Sequence, residues 1–297
     1  MSYPAISISR DGMRRLLRGN SARRYAMLPS IMLVVPLAAI LLVAFVYPVA
    51  GLVNMSFNNG AEAYHRLISE SLYLDVLWTT VSLSFAVAAL CLLIGYPVAY
   101  AMAQARPTIA TVIAGCVLVP LWTSVLIRSY AWIVLLQRNG IANDIIQALG
   151  LSDQPLKLLY TQGAVIVAMT HVLLPFAILP IYSTLKTLPV ELRRAAASLG
   201  ASPIRAFIFV TLPLSLPGVF AATILTFVLA LGFYITPALV GGPGSMLMAT
   251  LIGQQTTVLL DWPFAAALST VLLALTIAIV TVFRRALMFS KGFSGVF

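Results

Sequence analysis

Residues 188–213 read LPVELRRAAASLGASPIRAFIFVTLP and separate two apolar runs, Gly163 to Leu185 and Pro213 to Val240. Pro189 fits the first position of a helix, and Glu191 suits the positive end of a helix dipole. The alanines that follow favour a helix and add little bulk. The loop is therefore predicted to contain a short helix whose small-residue face another protein's backbone could approach closely.

Two breaks divide the rest of this loop. Gly200 fits a helix stop in the left-handed region, where a residue without a β-carbon is not strained. Ser202 and Pro203 then begin a second helical piece, which is predicted to run to Pro213. The first helix is expected to lie along the membrane surface.

Six apolar runs occupy most of the chain. A helix needs about 20 mainly apolar residues to cross the hydrocarbon core, and lipid does not tolerate unpaired backbone groups. We therefore predict an all-α, polytopic membrane protein with six transmembrane helices. The runs are Leu28 to Gly51, Val76 to Ala103, Thr108 to Leu136, Gly163 to Leu185, Pro213 to Val240 and Phe264 to Phe283.

The composition agrees with a lipid environment. Of the 297 residues, 61% are hydrophobic and 9% are charged, whereas soluble domains carry about 25% charged residues. The same hydrophobic content argues against disorder. A net charge of +10 would suggest nucleic-acid binding in a soluble protein. Here topology explains it better, because the basic residues flank the apolar runs.

The distribution of Lys and Arg predicts the orientation. Of the 18 such residues, most lie in a basic arm (1–27), after the second and fourth runs, and near the C-terminus; Arg66, Arg138 and Lys157 lie in loops on the other side. Because these residues concentrate in cytoplasmic loops, both termini are predicted to be cytoplasmic. The arm could bind lipid as an amphipathic segment, but a simple anchor is favoured. The first run is too long for a signal peptide and is expected to be retained.

The predicted organisation is therefore the cytoplasmic arm (1–27), a transmembrane domain (28–285) with its inner loop (186–212), and a cytoplasmic tail (286–297). Two outer loops are expected to be ordered. Gly140 to Gly150 has apolar residues at helical spacing and is predicted to be a short interfacial helix. In the fifth run, Gly232 and Pro237 weaken the helix, and Gly241 to Gly244 end it.

The inner loop resembles the "EAA" loop of type I ABC importer permeases. That pattern is Glu-Ala-Ala, three residues, Gly, nine residues, Ile, one residue and Leu-Pro. Val210 replaces the Ile and Arg194 replaces the Glu with a cation, while Glu191 lies one turn upstream. An ordinary helix–turn–helix between two spans is the alternative. The matching residues are Ala195, Ala196, Gly200, Leu212 and Pro213.

Further stretches resemble the polyamine-type branch of this family, the spermidine/putrescine permeases, and within it the first of two permease subunits. They are PLWTSVLIRSYAW (120–132), Asn139-Gly140, LLYT (158–161) and TPALVGG (236–242). The resemblance extends from about Leu72 to Phe283. It implies the type I ABC importer permease fold in a bacterial inner membrane.

In this family the loop is a coupling helix that docks on a cytoplasmic ATPase. The resemblance implies partners: a second permease forming a heterodimer, two ATP-binding-cassette ATPases that hold ATP and Mg, and a periplasmic solute-binding protein. No cofactor in this chain and no nucleic acid is expected. The implied ATPase-coupling residues are Glu191, Arg194, Ala195, Ala196 and Gly200.

The chain lacks the residues of an ATPase or a metal site. No Gly-x-x-x-x-Gly-Lys-Ser/Thr loop occurs, so another chain must hydrolyse ATP. His65 and His171 are far apart, and Cys91 and Cys116 lie inside apolar runs. We expect a transport subunit rather than an enzyme. A self-contained secondary transporter is the alternative, but it would need acids within the spans and usually a repeat, and neither is visible.

Five residues are candidates for the substrate path or its gate: Trp122, Arg128, Tyr130, Tyr234 and Thr236. Ionisable groups inside membranes are costly and usually functional, and a gate or structural role is favoured for Arg128. Aromatic faces can hold organic cations, although Trp and Tyr could equally form interfacial belts. His171 is expected to be a buried imidazole. No Asp or Glu lies within the six runs, so a polyamine would need carboxylates from the second permease, or the substrate is another small polar solute, such as an amino-acid-derived compound.

Overall fold

The computed structural model describes the backbone of residues 27–58 and 60–289, and the side chains of residues 34–58 and 60–285. Within these ranges the protein is helical and contains no strand. The basic arm up to Ala26, and Lys291 with the rest of the tail beyond Phe289, lie outside the described residues. The domain boundaries predicted there therefore stay predictions.

The helices follow one another with short connections. They are α1 (Met27–Met55), α2 (Glu62–Ser69), α3 (Ser71–Gln104), α4 (Pro107–Trp122), α5 (Val125–Leu136), α6 (Ile141–Ala148), α7 (Gln162–Thr187), α8 (Val190–Ser198), α9 (Pro203–Ala206), α10 (Leu212–Leu231), α11 (Ile235–Val240), α12 (Met248–Thr257) and α13 (Trp262–Phe289). A π-helical turn, Phe207–Thr211, joins α9 to α10.

Five helical segments are long and apolar enough to cross a membrane, and a bent pair raises the number to as many as six. The prediction of six spans is confirmed in this sense. The first, α1, forms a unit of its own up to Leu52, with apolar side chains exposed along it. The segment Pro203–Leu231 corresponds to the fifth predicted run. It begins ten residues before Pro213, where that run was predicted to start, because α9 and the π turn continue directly into α10.

The third run is not the single helix that was predicted from Thr108 to Leu136. It consists of α4 and α5, and the chain bends by 98° between Pro107–Trp122 and the segment Val125–Ala148, which α5 begins. The 16 residues of α4 span only about 24 Å. Ser124 starts α5 by accepting a hydrogen bond from the amide of Leu126 at 3.2 Å. Hydropathy cannot detect this break, because the residues on both sides are equally apolar.

The fifth run is interrupted at Gly232, as predicted, whereas Pro237 lies inside the next short helix. Helix α10 ends at Leu231, and α11 covers only Ile235–Val240. The predicted break at Gly241 to Gly244 is also present, and a β-carbon on Gly242 would lie 2.5 Å from the carbonyl oxygen of Tyr160. This close backbone approach brings the α6–α7 loop against the end of α11.

The central core is formed by α3, α7 and α10. Val87, Cys91 and Ala99 of α3 pack with α7 residues such as Ile178 and with Ala222 of α10, all fully buried. The Tyr96 hydroxyl is hydrogen-bonded to Ser215 Oγ at 2.9 Å. Close packing of small residues and interhelical hydrogen bonds are the forces that associate helices in lipid.

A second cluster joins α2, the start of α3, α12 and α13 on the predicted outer side. Tyr73 packs edge-on against Phe264, with ring centroids 4.9 Å apart. Arg66 lies 4.4 Å from the centre of the Phe264 ring and forms ion pairs with Glu70 at 3.3 Å and Asp261 at 3.4 Å. Helices α2 and α12 were not predicted. Like α6, each is too short to appear among the apolar runs, but only for α6 was the helical spacing of apolar residues recognised.

Candidate functional site

The inner loop contains the predicted short helix. It is α8, which begins directly after Pro189, with Glu191 in its first turn. Pro189 is the N-cap, one position before the predicted one, and its φ of −60° and ψ of 129° lead the extended chain into the helix. No residue of α8 is fully buried. The helix therefore presents most of its surface to its surroundings.

The end of α8 has the predicted glycine stop. Gly200 has a φ of +82°, and its amide donates to the carbonyl of Ala197 at 2.9 Å while that of Ala201 donates to Ala196 at 3.0 Å. These bonds satisfy carbonyls that the helix end would leave unpaired. Ser202 then caps α9 by accepting from the amide of Arg205 at 3.4 Å.

The two sides of α8 differ. Glu191, Arg194 and Ala195 are exposed and Ala196 is half-buried, and the side chain of Leu199 just beyond is 89% exposed. On the other side, Arg193 donates through Nη1 to Gln104 Oε1 at the end of α3. One surface is thus open to a partner, while the other is attached to the end of a membrane helix.

Two of the broken spans meet at a buried contact that includes the path candidate Thr236. Ser129 of α5 and Thr236 of α11 are fully buried, and their hydroxyls are 2.9 Å apart. Ser129 also donates to the carbonyl of Val125 at 2.9 Å. In this pair Thr236 therefore donates and Ser129 accepts. The bond connects α5 and α11, the helices that follow the breaks in the third and fifth runs.

Arg128 precedes this pair and is only 8% exposed. Its Nε and Nη1 are buried without a hydrogen-bond partner among the described residues. The ion pairs among the described residues all involve Arg66. An unpaired buried charge is costly. Arg128 therefore has capacity for an acceptor that this chain does not supply there.

The other path candidates are not brought together with Arg128. Trp122 is 86% exposed and Tyr130 is 54% exposed, while Tyr234 packs against Gly253 of α12. His171 is exposed rather than buried as expected, and its Nδ1 accepts from Trp132 Nε1 at 3.3 Å. Only Thr236, through Ser129, is linked to the helix turn that holds Arg128.

Sequence reasoning missed the residues that connect these parts. Ser129, Gln104 and Arg193 were not candidates, because their contacts join segments far apart in the chain. Ser129 lies inside the stretch 120–132, which resembles the polyamine-type permeases. That position was the one feature of the sequence that could have indicated its importance. Within the described residues, no group of three or more His, Cys, Asp or Glu side chains could hold a metal ion.

Comparison with known proteins places this geometry among permeases. Residues 92–289 match the family described as binding-protein-dependent transport system inner membrane component. The chain is 36% identical to the spermidine/putrescine transport system permease protein PotB of Haemophilus influenzae, over 76% of this chain and 78% of that one. It is 34% identical to PotB of Escherichia coli K12, over 74% and 79%, and 34% identical to the inner membrane ABC transporter permease protein YdcU of the same organism, over 69% and 70%.

Solved structures share the fold at lower identity. A chain of the bacterial alginate ABC transporter superposes with a TM-score of 0.68 at 17% identity, covering 88% of this chain and 96% of that one. A chain of the MetNI methionine ABC transporter gives 0.58 at 19% identity, covering 73% and 95%. These similarities support a type I ABC importer permease fold.

Proposed function

The chain belongs to the family of binding-protein-dependent transport system inner membrane components, and from that premise we propose that it carries spermidine, putrescine or a related amine across the membrane. It is an inner-membrane permease subunit of an ABC importer and is not itself an enzyme. Such permeases work in general with a partner permease, an ATPase and a solute-binding protein.

The observation that carries the proposed substrate is the 36% identity to a permease named for spermidine and putrescine, over 76% of this chain. The exposed aromatic side chains of Trp122, Tyr130 and Tyr234 add a physical reason, because aromatic faces attract organic cations. We propose that these residues, together with Arg128 and Thr236, line or gate the path.

The charge distribution supports a second permease that is a different chain. Asp75, near the start of α3, is the one acid within a described membrane-spanning helix. A polycation crossing the membrane would need more carboxylates than this, since charge in a low-dielectric medium requires a counter-charge. We therefore propose a heterodimer in which the other permease supplies most of the acidic groups.

We further propose that α8 and Gly200 form the coupling segment. Glu191, Arg194, Ala195 and Ala196 would contact the ATPase, of which two copies would bind ATP and Mg. Around this segment, the chain would consist of the cytoplasmic arm (1–27), the permease domain (28–285) with the coupling loop (186–212), and the tail (286–297). The solute-binding protein would meet the opposite, periplasmic side.

The substrate is tested by uptake. The complex is purified with its partners and reconstituted in vesicles, and entry of radiolabelled spermidine and putrescine is measured with the binding protein present, with and without ATP. ATP-dependent uptake of either amine, reduced by an excess of the unlabelled amine, is expected. ATP-dependent uptake of another solute that neither amine inhibits would reject the proposed substrate while leaving the permease assignment in place.

A further inference from the structure

A cleft of about 200 Å³ lies behind the coupling helix, between α8, the end of α3, the end of α7 and the start of α10. Its walls are mainly Ala, Leu, Val and Pro side chains, and its polar lining comes from Gln104, Lys186, Arg193 and Thr211. We propose that this cleft binds a phosphate-bearing anion from the cytoplasmic side, and that the bound anion sets the position of the coupling helix. The proposal does not depend on the transported substrate.

The cleft carries positive charge that no described acid compensates by an ion pair. Lys186 and Arg193 line the same cavity, and neither forms an ion pair within the described residues. Arg193 uses Nη1 to donate to Gln104, which leaves most of its five N–H donors free for a further acceptor. Glu191 is exposed and is separated from Arg193 by two positions, so the two side chains do not share a helix face.

Thr211 adds a buried hydroxyl without a partner. Several helical threonines donate back to the carbonyl four residues earlier, as Thr184 does to Pro180 at 3.1 Å and Thr226 does to Ala222 at 2.7 Å, whereas the buried hydroxyls of Thr170 and Thr211 do not. Thr211 ends the π turn, in which the amide of Leu212 donates a hydrogen bond to the carbonyl of Phe207, five residues earlier. Its side chain is 3% exposed, and its Oγ1 has no partner in the described part of the chain.

These groups suit a phosphate. Guanidinium and ammonium groups bind phosphate oxygens through short, charge-assisted hydrogen bonds, and a hydroxyl can add a further donor. Basic pockets between membrane helices on the cytoplasmic side bind anionic lipid headgroups. A cleft of about 200 Å³ has room for the phosphate group of such a lipid but not for its acyl chains, and the same donors would take a free phosphate.

A bound anion would act on coupling because the cleft is lined both by α8 and by the ends of membrane helices. Arg193 belongs to α8, whereas Lys186 and Gln104 belong to the cytoplasmic ends of α7 and α3. An anion shared by these residues would fix α8 against the membrane helices. ATPase stimulation by the loaded binding protein is therefore expected to depend on the anion.

The test uses the whole complex in phosphatidylcholine vesicles, with or without phosphatidylglycerol, and in neutral detergent with or without inorganic phosphate. Thermal unfolding and binding-protein-stimulated ATPase activity are measured. For the unaltered complex we expect a rise of several degrees in the unfolding midpoint with either phosphate source. A response to the lipid alone identifies a headgroup site, and a response to both identifies a site for phosphate itself.

Lys186→Gln with Arg193→Gln should abolish the shift, and Thr211→Val should reduce it. Arg106→Gln with Arg285→Gln is the matched control, because it removes the same charge from exposed positions on the predicted cytoplasmic side that lie outside both the cleft and the coupling loop. The proposal is overturned if the cleft pair keeps the full response, or if the control pair loses it equally. If the complex with Lys186→Gln and Arg193→Gln fails to assemble, native mass spectrometry compares how much phosphatidylglycerol the unaltered complex and the Thr211→Val complex retain. Equal retention by the two complexes, or retention by neither, rejects the site.

Discussion

The hydroxyls of Ser129 and Thr236 lie 2.9 Å apart in a fully buried contact between α5 and α11. Each residue belongs to the short helix that follows a break in a membrane span, so the bond fixes two interrupted segments against each other. Interhelical hydrogen bonds in membranes contribute modestly, about 0.6 kcal/mol on average. Their value here is positional, because α5 also holds Arg128.

A double-mutant cycle tests this contact. Ser129→Ala and Thr236→Val should each destabilise the protein by about 1 kcal/mol. Each substitution removes one hydroxyl of the pair and leaves the other hydroxyl buried without this partner. The double variant should be less destabilised than the sum of the two, with a coupling energy of about 0.5–1 kcal/mol. Unfolding in mixed micelles measures these values. Strict additivity would show that the two hydroxyls do not interact.

Local chemistry explains what could be predicted from the sequence. The start of α8 after Pro189 and its end at Gly200 depend on side-chain and backbone preferences of neighbouring residues. The weakness at Gly232 is local in the same way, and the helix ends there, whereas Pro237 lies in the first turn of α11.

What could not be predicted depends on distant partners or on short elements. The break at Thr123 and Ser124 interrupts a run of uniform hydropathy, and α2 and α12 have 8 and 10 residues. The contact of Arg193 with Gln104 joins residues 89 positions apart. Neither residue type nor spacing indicates such a pairing.

Gly200 should be needed for coupling because of its backbone conformation. A β-carbon there would meet no atom within 4 Å, but the φ of +82° strains any L side chain. Gly200→Val is therefore expected to distort the end of α8 at a cost of about 1–2 kcal/mol and to lower the amount of ATPase that co-purifies. Co-purification and stimulated ATPase activity are the measurements.

Gly150→Val is the matched control for this change. Gly150 has a φ of +67° and equally open surroundings, but it follows α6 on the predicted outer side. The same backbone penalty should leave ATPase binding unchanged. If both variants lose the ATPase equally, general destabilisation explains the effect, and if Gly200→Val retains it, the coupling assignment is wrong.

Arg128 should affect transport more than the stability of the isolated chain. Because its Nε and Nη1 lack partners among the described residues, Arg128→Met removes a buried charge without leaving another group unpaired. Such replacements are often neutral or stabilising. We expect an unchanged or higher unfolding midpoint together with reduced uptake, whereas Arg128→Lys should retain part of the uptake. A large loss of stability in the isolated Met variant would indicate a partner within this chain.

Gly218 permits the close contact between α10 and α7. A β-carbon at this position would collide with Thr184 Oγ1 and would lie 2.9 Å from the carbonyl oxygen of Pro180. The backbone carbonyl cannot move aside as a flexible side chain could, so Gly218→Ala should force the helices apart at a cost of about 1–3 kcal/mol. Gly115→Ala, in α4 with nothing within 4 Å, should be tolerated. Unfolding midpoints of the two variants in the same detergent decide the matter, and equal midpoints would mean that the helices do not meet at Gly218.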